Sequence, residues 1–167
     1  MDKSNTLTIL KHAFLIERKG KSLYEKAMAH AKDDAVKAFF KDLVDDEQEH
    51  MNILEKQFKA YMKDGRFMAG GFEEDASKVE AVDILDADLK DKINAAEFEA
   101  TAITAAIGFE EKAVKMYEER AEAASDPEEK KLYHWLSVWE RTHLKKLMAL
   151  EESLLENVWQ DNNFWPF

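Results

Sequence analysis

No cysteine occurs anywhere in the chain, so disulfides, thiolate metal sites and thiol catalysis are all excluded. Glycine and proline are scarce, five and two among 167 residues, which leaves little to interrupt helix. No uncharged stretch approaches the ~20 residues that a membrane span needs, and no signal peptide opens the chain. The expected location is therefore the cytoplasm, without a membrane partner. Positive charge is in deficit: 24 Lys and Arg against 35 Asp and Glu give a formal charge of −11. A surface so acidic would repel phosphates, which argues against nucleic acid as a partner. What remains is an all-α protein, long enough for one proper core.

Within that helical chain one pattern occurs twice, 93 residues apart. Glu17, Glu47 and His50 stand in the first copy, and Glu110, Glu140 and His143 in the second. In both, the first Glu lies 30 residues before a Glu-x-x-His pair. The match runs without a gap from Ala13/Ala106 to Leu54/Leu147, through Lys19/Lys112, Tyr24/Tyr117, Asp33/Asp126 and Leu43/Leu136. This offset is longer than a solenoid period, so it reads as a duplicated helical hairpin within one domain.

The turns fall at Lys32-Asp33-Asp34 and Ser125-Asp126-Pro127, the latter with Pro where a helix tolerates it, just inside its start. Glu17 lies 16 residues before Asp33 and Glu47 lies 14 after it. In an antiparallel pair this imbalance is only ~3 Å along the axis, so the two carboxylates share a level. The same holds for Glu110, Asp126 and Glu140. Positions i and i+3 share a helix face, so each His joins its Glu.

These faces are the apolar ones. Leu10, Phe14, Glu17, Tyr24 and Met28 follow one helical stripe, and Phe40, Leu43, Glu47, His50 and Leu54 another. Ile103, Ile107, Glu110, Val114 and Tyr117, then Leu132, Leu136, Glu140, His143, Leu147 and Leu150, repeat them. Four carboxylates at one buried level would repel one another and raise their own pKa values. Two divalent cations would neutralise them. The expected ligand set is thus Glu17, Glu47, His50, Glu110, Glu140 and His143, and the chemistry is that of a carboxylate-bridged pair of metal ions. A duplicated fold that has lost its metal is the bland alternative, but no ligand position has been replaced.

Other residues carry weaker signals. Tyr24 and Tyr117, about two turns beyond Glu17 and Glu110, hydrogen-bond the ligand shell, pass electrons or simply fill the core. Gly20 and Ala113 sit one turn after each terminal Glu, where small side chains leave room for metal or allow close helix packing. His12, His30 and His134 have no His at their repeat mates and read as ordinary helix residues. Each ligand His should donate its second ring N–H to an outer partner, which the sequence does not name.

At these motifs the chain resembles the ferritin-like superfamily and, within it, the rubrerythrin-like diiron proteins, over roughly Leu7 to Leu155. The resemblance implies a four-helix bundle of two antiparallel hairpins joined by a long crossover, with two iron ions at mid-bundle. Manganese is the other metal such mixed carboxylate and imidazole ligation would suit. It further implies that Glu47 and Glu140 bridge both ions, with Glu17 and His50 completing one and Glu110 and His143 the other. The chain departs from rubrerythrins proper. Their extra carboxylate three residues after the third-helix Glu is Ala113 here, and where His143 stands they carry Glu. They also carry a four-cysteine rubredoxin domain, which this chain cannot form. The six-ligand symmetry is closer to the bacterioferritin centre, but the haem-ligating Met of that family is Gln48 here.

The implied activity is reduction of hydrogen peroxide or O₂ with electrons from an external donor protein. The alternative is a ferroxidase that binds and stores iron. The expected organisation is one ferritin-like domain over 1–167, with hairpin 1 at 1–63, a crossover at 64–95, hairpin 2 at 96–156 and an aromatic tail at 157–167. Helices are expected at 6–31, 35–63, 96–123 and 127–156, with short ones around Lys78–Leu85 and Asp88–Ile93. The tail holds Trp159, Phe164, Trp165 and Phe167, more aromatic surface than water favours, and is expected to fold back on the bundle or to seal a groove on a second subunit, a homodimer contact.

Overall fold

The computed structural model describes residues 3–70, 89 and 97–161. Four long helices account for most of them: α1 (Lys3–His30), α2 (Asp34–Asp64), α3 (Glu97–Ala123) and α4 (Pro127–Asp161). No strand occurs among the described residues. Apart from Leu89, the expected short helices of the crossover lie outside the described residues, as does the end of the aromatic tail.

The two hairpin turns are built alike. Asp33 caps α2, its Oδ1 accepting from the backbone N–H of Ala35 at 2.8 Å and of Val36 at 3.4 Å. Asp126 caps α4 by the same contacts, to Glu128 at 2.8 Å and Glu129 at 3.4 Å. Each cap satisfies N–H groups that a helix start leaves without partners. At the far end of α2, Gly65 adopts the left-handed conformation (φ 66°) and its N–H bonds the Tyr61 carbonyl at 2.9 Å. A residue with a Cβ would be strained there. Gln57 then holds the chain as it leaves, donating to the Met68 carbonyl at 3.1 Å and accepting from its N–H at 2.9 Å.

Boundaries differ from expectation mainly at the chain ends. Helix α1 begins at Lys3 rather than residue 6, and α4 runs to Asp161 rather than 156. The stretch 157–161 contains neither Gly nor Pro, so nothing in the backbone stops the helix where its apolar stripe stops. Part of the expected tail is therefore the last turn of α4.

Helix α1 packs along α2 and α3 along α4, and α1 also meets α3. The apolar core is in two parts. One gathers Tyr24, Phe40, Leu43, Ile103 and Leu147, near the first turn. The other gathers Leu10, Leu54, Tyr117, Leu132 and Leu136, near the second turn. The turn end of each hairpin thus packs on the open end of the other. Between the two apolar clusters lies a polar layer.

Candidate metal centre

That layer contains all six expected residues. Glu17, Glu47, His50, Glu110, Glu140 and His143 are each at most 1% exposed. One ligand atom from each of Glu17, Glu47, His50 and Glu140 falls within 4.8 Å of the others, and the same is true of Glu47, Glu110, Glu140 and His143. The two quartets share Glu47 and Glu140. The two imidazoles stack across the layer, their ring centroids 5.7 Å apart. His50 directs Nδ1 inward, 2.9 Å from Glu17 Oε2 and 3.0 Å from Glu140 Oε1. His143 also directs Nδ1 inward, 3.3 Å from Glu140 Oε2 and 3.7 Å from Glu47 Oε1.

Such burial is costly unless every lone pair is met. Six of the eleven buried side-chain polar atoms without a hydrogen-bond partner among the described residues fall here: both oxygens of Glu47 and of Glu140, Oε2 of Glu110 and Nδ1 of His143. All six belong to the two quartets, and carboxylate oxygen with imidazole nitrogen is the donor set of iron and manganese. The residues present therefore fit a pair of such ions.

The electrostatics point the same way. Burial pushes the Glu47 carboxyl well above the usual carboxylate range, and the charges of Glu140 and Glu17 push it further. Burial and then Glu140 do the same to Glu110. Glu140 moves oppositely: burial disfavours its charge, but the His50 and His143 imidazoles beside it hold it well below the usual range. Burial likewise opposes the charged form of His50, yet Glu140, Glu17 and Glu47 outweigh it and raise its pKa. For His143, Asp46 and Glu140 outweigh burial in the same direction. In the metal-free protein, protons thus do part of the neutralising that cations would do.

A second layer surrounds the quartets. The Tyr24 hydroxyl donates to Glu110 Oε1, and the Tyr117 hydroxyl donates to Glu17 Oε1. Each tyrosine thereby serves the terminal Glu of the other hairpin, while its ring fills the core, so the hydrogen-bonding and core-filling readings both hold. Burial, and then the charges of those carboxylates, push both phenols well above their ordinary pKa. The outer partner of His143, unnamed by the sequence, is Asp46, whose Oδ2 lies 3.2 Å from Nε2. Burial opposes ionisation of Asp46, but the bond from His143 prevails and lowers its pKa. With Nε2–H donating to that carboxylate, Nδ1 is the ring nitrogen left to face the quartet. Nothing in the sequence singles out Asp46, which stands in a run of acidic residues.

Gly20 lies against the shared Glu47. A Cβ built there would stand 2.9 Å from Glu47 Oε1 and 2.9 Å from Phe109 Cε1. Its repeat mate Ala113 does carry a Cβ and is buried. Gln48 is engaged away from the centre by Lys21 at 2.8 Å. The histidines set aside from the ligand set, His12, His30 and His134, are all exposed.

A family model described as rubrerythrin matches residues 8–151. The chain belongs to the rubrerythrin family. No curated protein matches it, and no solved structure does. The ferritin-like bundle and the clustered Glu and His residues of this rubrerythrin relative agree with that membership. No described helix is long and apolar enough to cross a membrane.

Proposed function

We propose that this rubrerythrin-family protein is an oxidoreductase that reduces hydrogen peroxide, or O₂ more slowly, at a di-iron centre. Glu17 and His50 would hold one ion, Glu110 and His143 the other, and Glu47 and Glu140 would be shared. Manganese would suit the same donors. The observation that carries this reading is the pair of buried quartets sharing two carboxylates, with unpartnered oxygens and nitrogen aimed into them.

When bound, two ferrous ions supply one electron each, matching the balance H₂O₂ + 2e⁻ + 2H⁺ → 2H₂O. The chain's own residues do the rest. Burial keeps bulk water from the carboxylates and strengthens their hold on cations. Tyr24 and Tyr117 fix the rotamers of Glu110 and Glu17, and their raised pKa keeps a proton at each phenol oxygen. Asp46 fixes the ring of His143. With no cysteine in the chain there is no rubredoxin site to return electrons, so turnover requires an external donor protein. The reading includes a homodimer in the cytoplasm.

Iron oxidation and storage is the second reading. Its support is specific: each quartet contains one His, the symmetry of a bacterioferritin-like centre. Anaerobically reduced, iron-loaded protein mixed with one equivalent of hydrogen peroxide or of O₂ separates the two. The oxidoreductase reading expects peroxide to be faster, with near-ultraviolet absorbance rising to a plateau. Faster oxidation by O₂, followed by mineral growth on excess Fe²⁺ and a many-subunit particle by light scattering, would establish storage instead.

A further inference from the structure

Most of the site obeys the internal repeat, and two positions on its outer side do not. The terminal Glu residues are matched, and so are the shared Glu residues. The tyrosine bonds are matched too, Tyr24 to Glu110 and Tyr117 to Glu17. The offset that maps Glu47 onto Glu140 maps Asp46 onto Trp139, and Asp42 onto Trp135. The outer edges of the two imidazoles therefore meet different chemistry. His143 Nε2 lies 3.2 Å from the Asp46 carboxylate. The His50 ring instead meets Trp135 and Trp139 edge-on, with centroids 5.3 and 5.9 Å away. The two indoles pack on each other at 5.9 Å, and Trp139 Nε1 has no hydrogen-bond partner among the described residues.

We infer that Asp46 is a positioning residue that makes the two halves of the centre unequal, giving the Glu110–His143 half the tighter hold on a metal ion. This rests on the metal-binding reading above. A carboxylate accepting from the outer N–H fixes the tautomer and orientation of a ligand imidazole and makes its inner nitrogen more basic, an effect worth roughly 10–100-fold in metal affinity. The edges of two indoles shield His50 and limit its rotation, but they present no anion to it. Because the tyrosine bonds are matched, they contribute nothing to the difference. The inequality also orders filling: the first ion enters beside His143, and the second completes the half beside the tryptophans.

The test is an anaerobic Co²⁺ titration of the full chain by calorimetry, with tryptophan fluorescence followed in parallel. The wild type should take two ions in steps at least about tenfold apart, and quenching should be concentrated in the second step, beside Trp135 and Trp139. Asp46→Ala should weaken the tighter step about 10–100-fold and shift quenching into the first equivalent. Asp46→Asn, which keeps an acceptor for Nε2–H, should restore part of the loss. Trp139→Asp should strengthen the weaker step. Equal weakening of both steps by Asp46→Ala would show a merely structural residue and overturn the inference, as would an unchanged tighter step. Failure of the wild type to bind Co²⁺ at all would sink the metal-binding reading itself, whereas two ions bound with quenching in the first step would sink only the inequality.

Discussion

The two hairpins are copies that agree inside and differ outside. Toward the bundle axis the polar residues match, a terminal Glu, a shared Glu, a His and a Tyr each, and only the small residues Gly20 and Ala113 beside them differ. One shell further out, Asp46, which meets His143, corresponds to Trp139, which meets His50, and the exposed Asp42 corresponds to Trp135. The duplication thus yields a nearly symmetric set of donors held in an asymmetric setting. Ligand identity is constrained by the chemistry of the centre, while the outer layer is free to tune each half.

The largest effects should come from the shared carboxylates. Glu47→Gln and Glu140→Gln should each abolish binding of both ions, whereas Glu17→Gln and Glu110→Gln should each lose mainly one, as read by metal content. The metal-free proteins should then part company. Glu47 is pushed above the usual range by burial and by its neighbours' charges, so removing its charge should raise the melting temperature near pH 8. Glu140 is held below that range by the two imidazoles, against burial. Its replacement leaves them without their common partner, at a cost of about 2 kcal/mol. Equal melting shifts in the two variants would break the comparison.

Metal removal itself should show an acid–base signature. Glu47 and Glu110 have folded pKa values above the 4.5 they have when unfolded, and His50 and His143 above 6.5. Each such group contributes stability that is fully present below its unfolded pKa and is lost as pH rises through the folded one. Glu140 and Asp46, shifted down, contribute stability that is present above the carboxylate range and lost as pH falls through it. Metal-free protein should therefore be most stable in mild acid and weaken toward alkaline pH. Metal requires the carboxylates and imidazoles deprotonated, so the gap between loaded and metal-free melting should widen with pH. At free metal a hundred to a thousand times Kd the gap is about 3–4 kcal/mol, or roughly 10 °C for a chain of this size. Melting curves at several pH values check it, and a gap that narrows as pH rises would contradict it.

Smaller effects probe the small residues and the caps. Gly20→Ala would thrust a Cβ against Glu47 and Phe109. Overpacking costs about 1–3 kcal/mol, more than the roughly 1 kcal/mol that Ala gains over Gly in a helix. The net outcome should be destabilisation with weaker binding of both ions. Ala113→Gly, in the other hairpin, should lose about 1 kcal/mol of helix propensity and leave metal binding intact. Finally, Asp33→Ala and Asp126→Ala should each cost about 1 kcal/mol, equally, because their capping distances agree. Unequal thermal shifts would mean that the turns, too, have diverged.

Much of this was legible in the sequence because a buried carboxylate interrupts an apolar stripe conspicuously. Glu17 and Glu110 stand out for that reason, and counting from Asp33 and Asp126 placed them level with Glu47 and Glu140. Asp46 was not legible. It sits among Asp45, Glu47 and Glu49 in a stretch of sequence rich in acid, where a carboxylate by itself signals only solvation. Its role depends on His143, 97 residues away, and no local pattern encodes that pairing. Trp135 and Trp139 likewise carry no signal in the sequence, because their part lies in their contacts with the His50 ring. The helix boundary at Asp161 was missed because hydrophobic periodicity marks where burial ends, whereas the backbone needs a breaker to stop.

The central claim is that two buried quartets, sharing Glu47 and Glu140, hold two metal ions per chain. Elemental analysis of protein purified from iron-replete cells tests it most directly, with the Glu47→Gln protein prepared alongside. The account predicts two ions per wild-type chain and none in the variant. One ion or none in fully loaded wild-type protein, or two ions retained by Glu47→Gln, would contradict it.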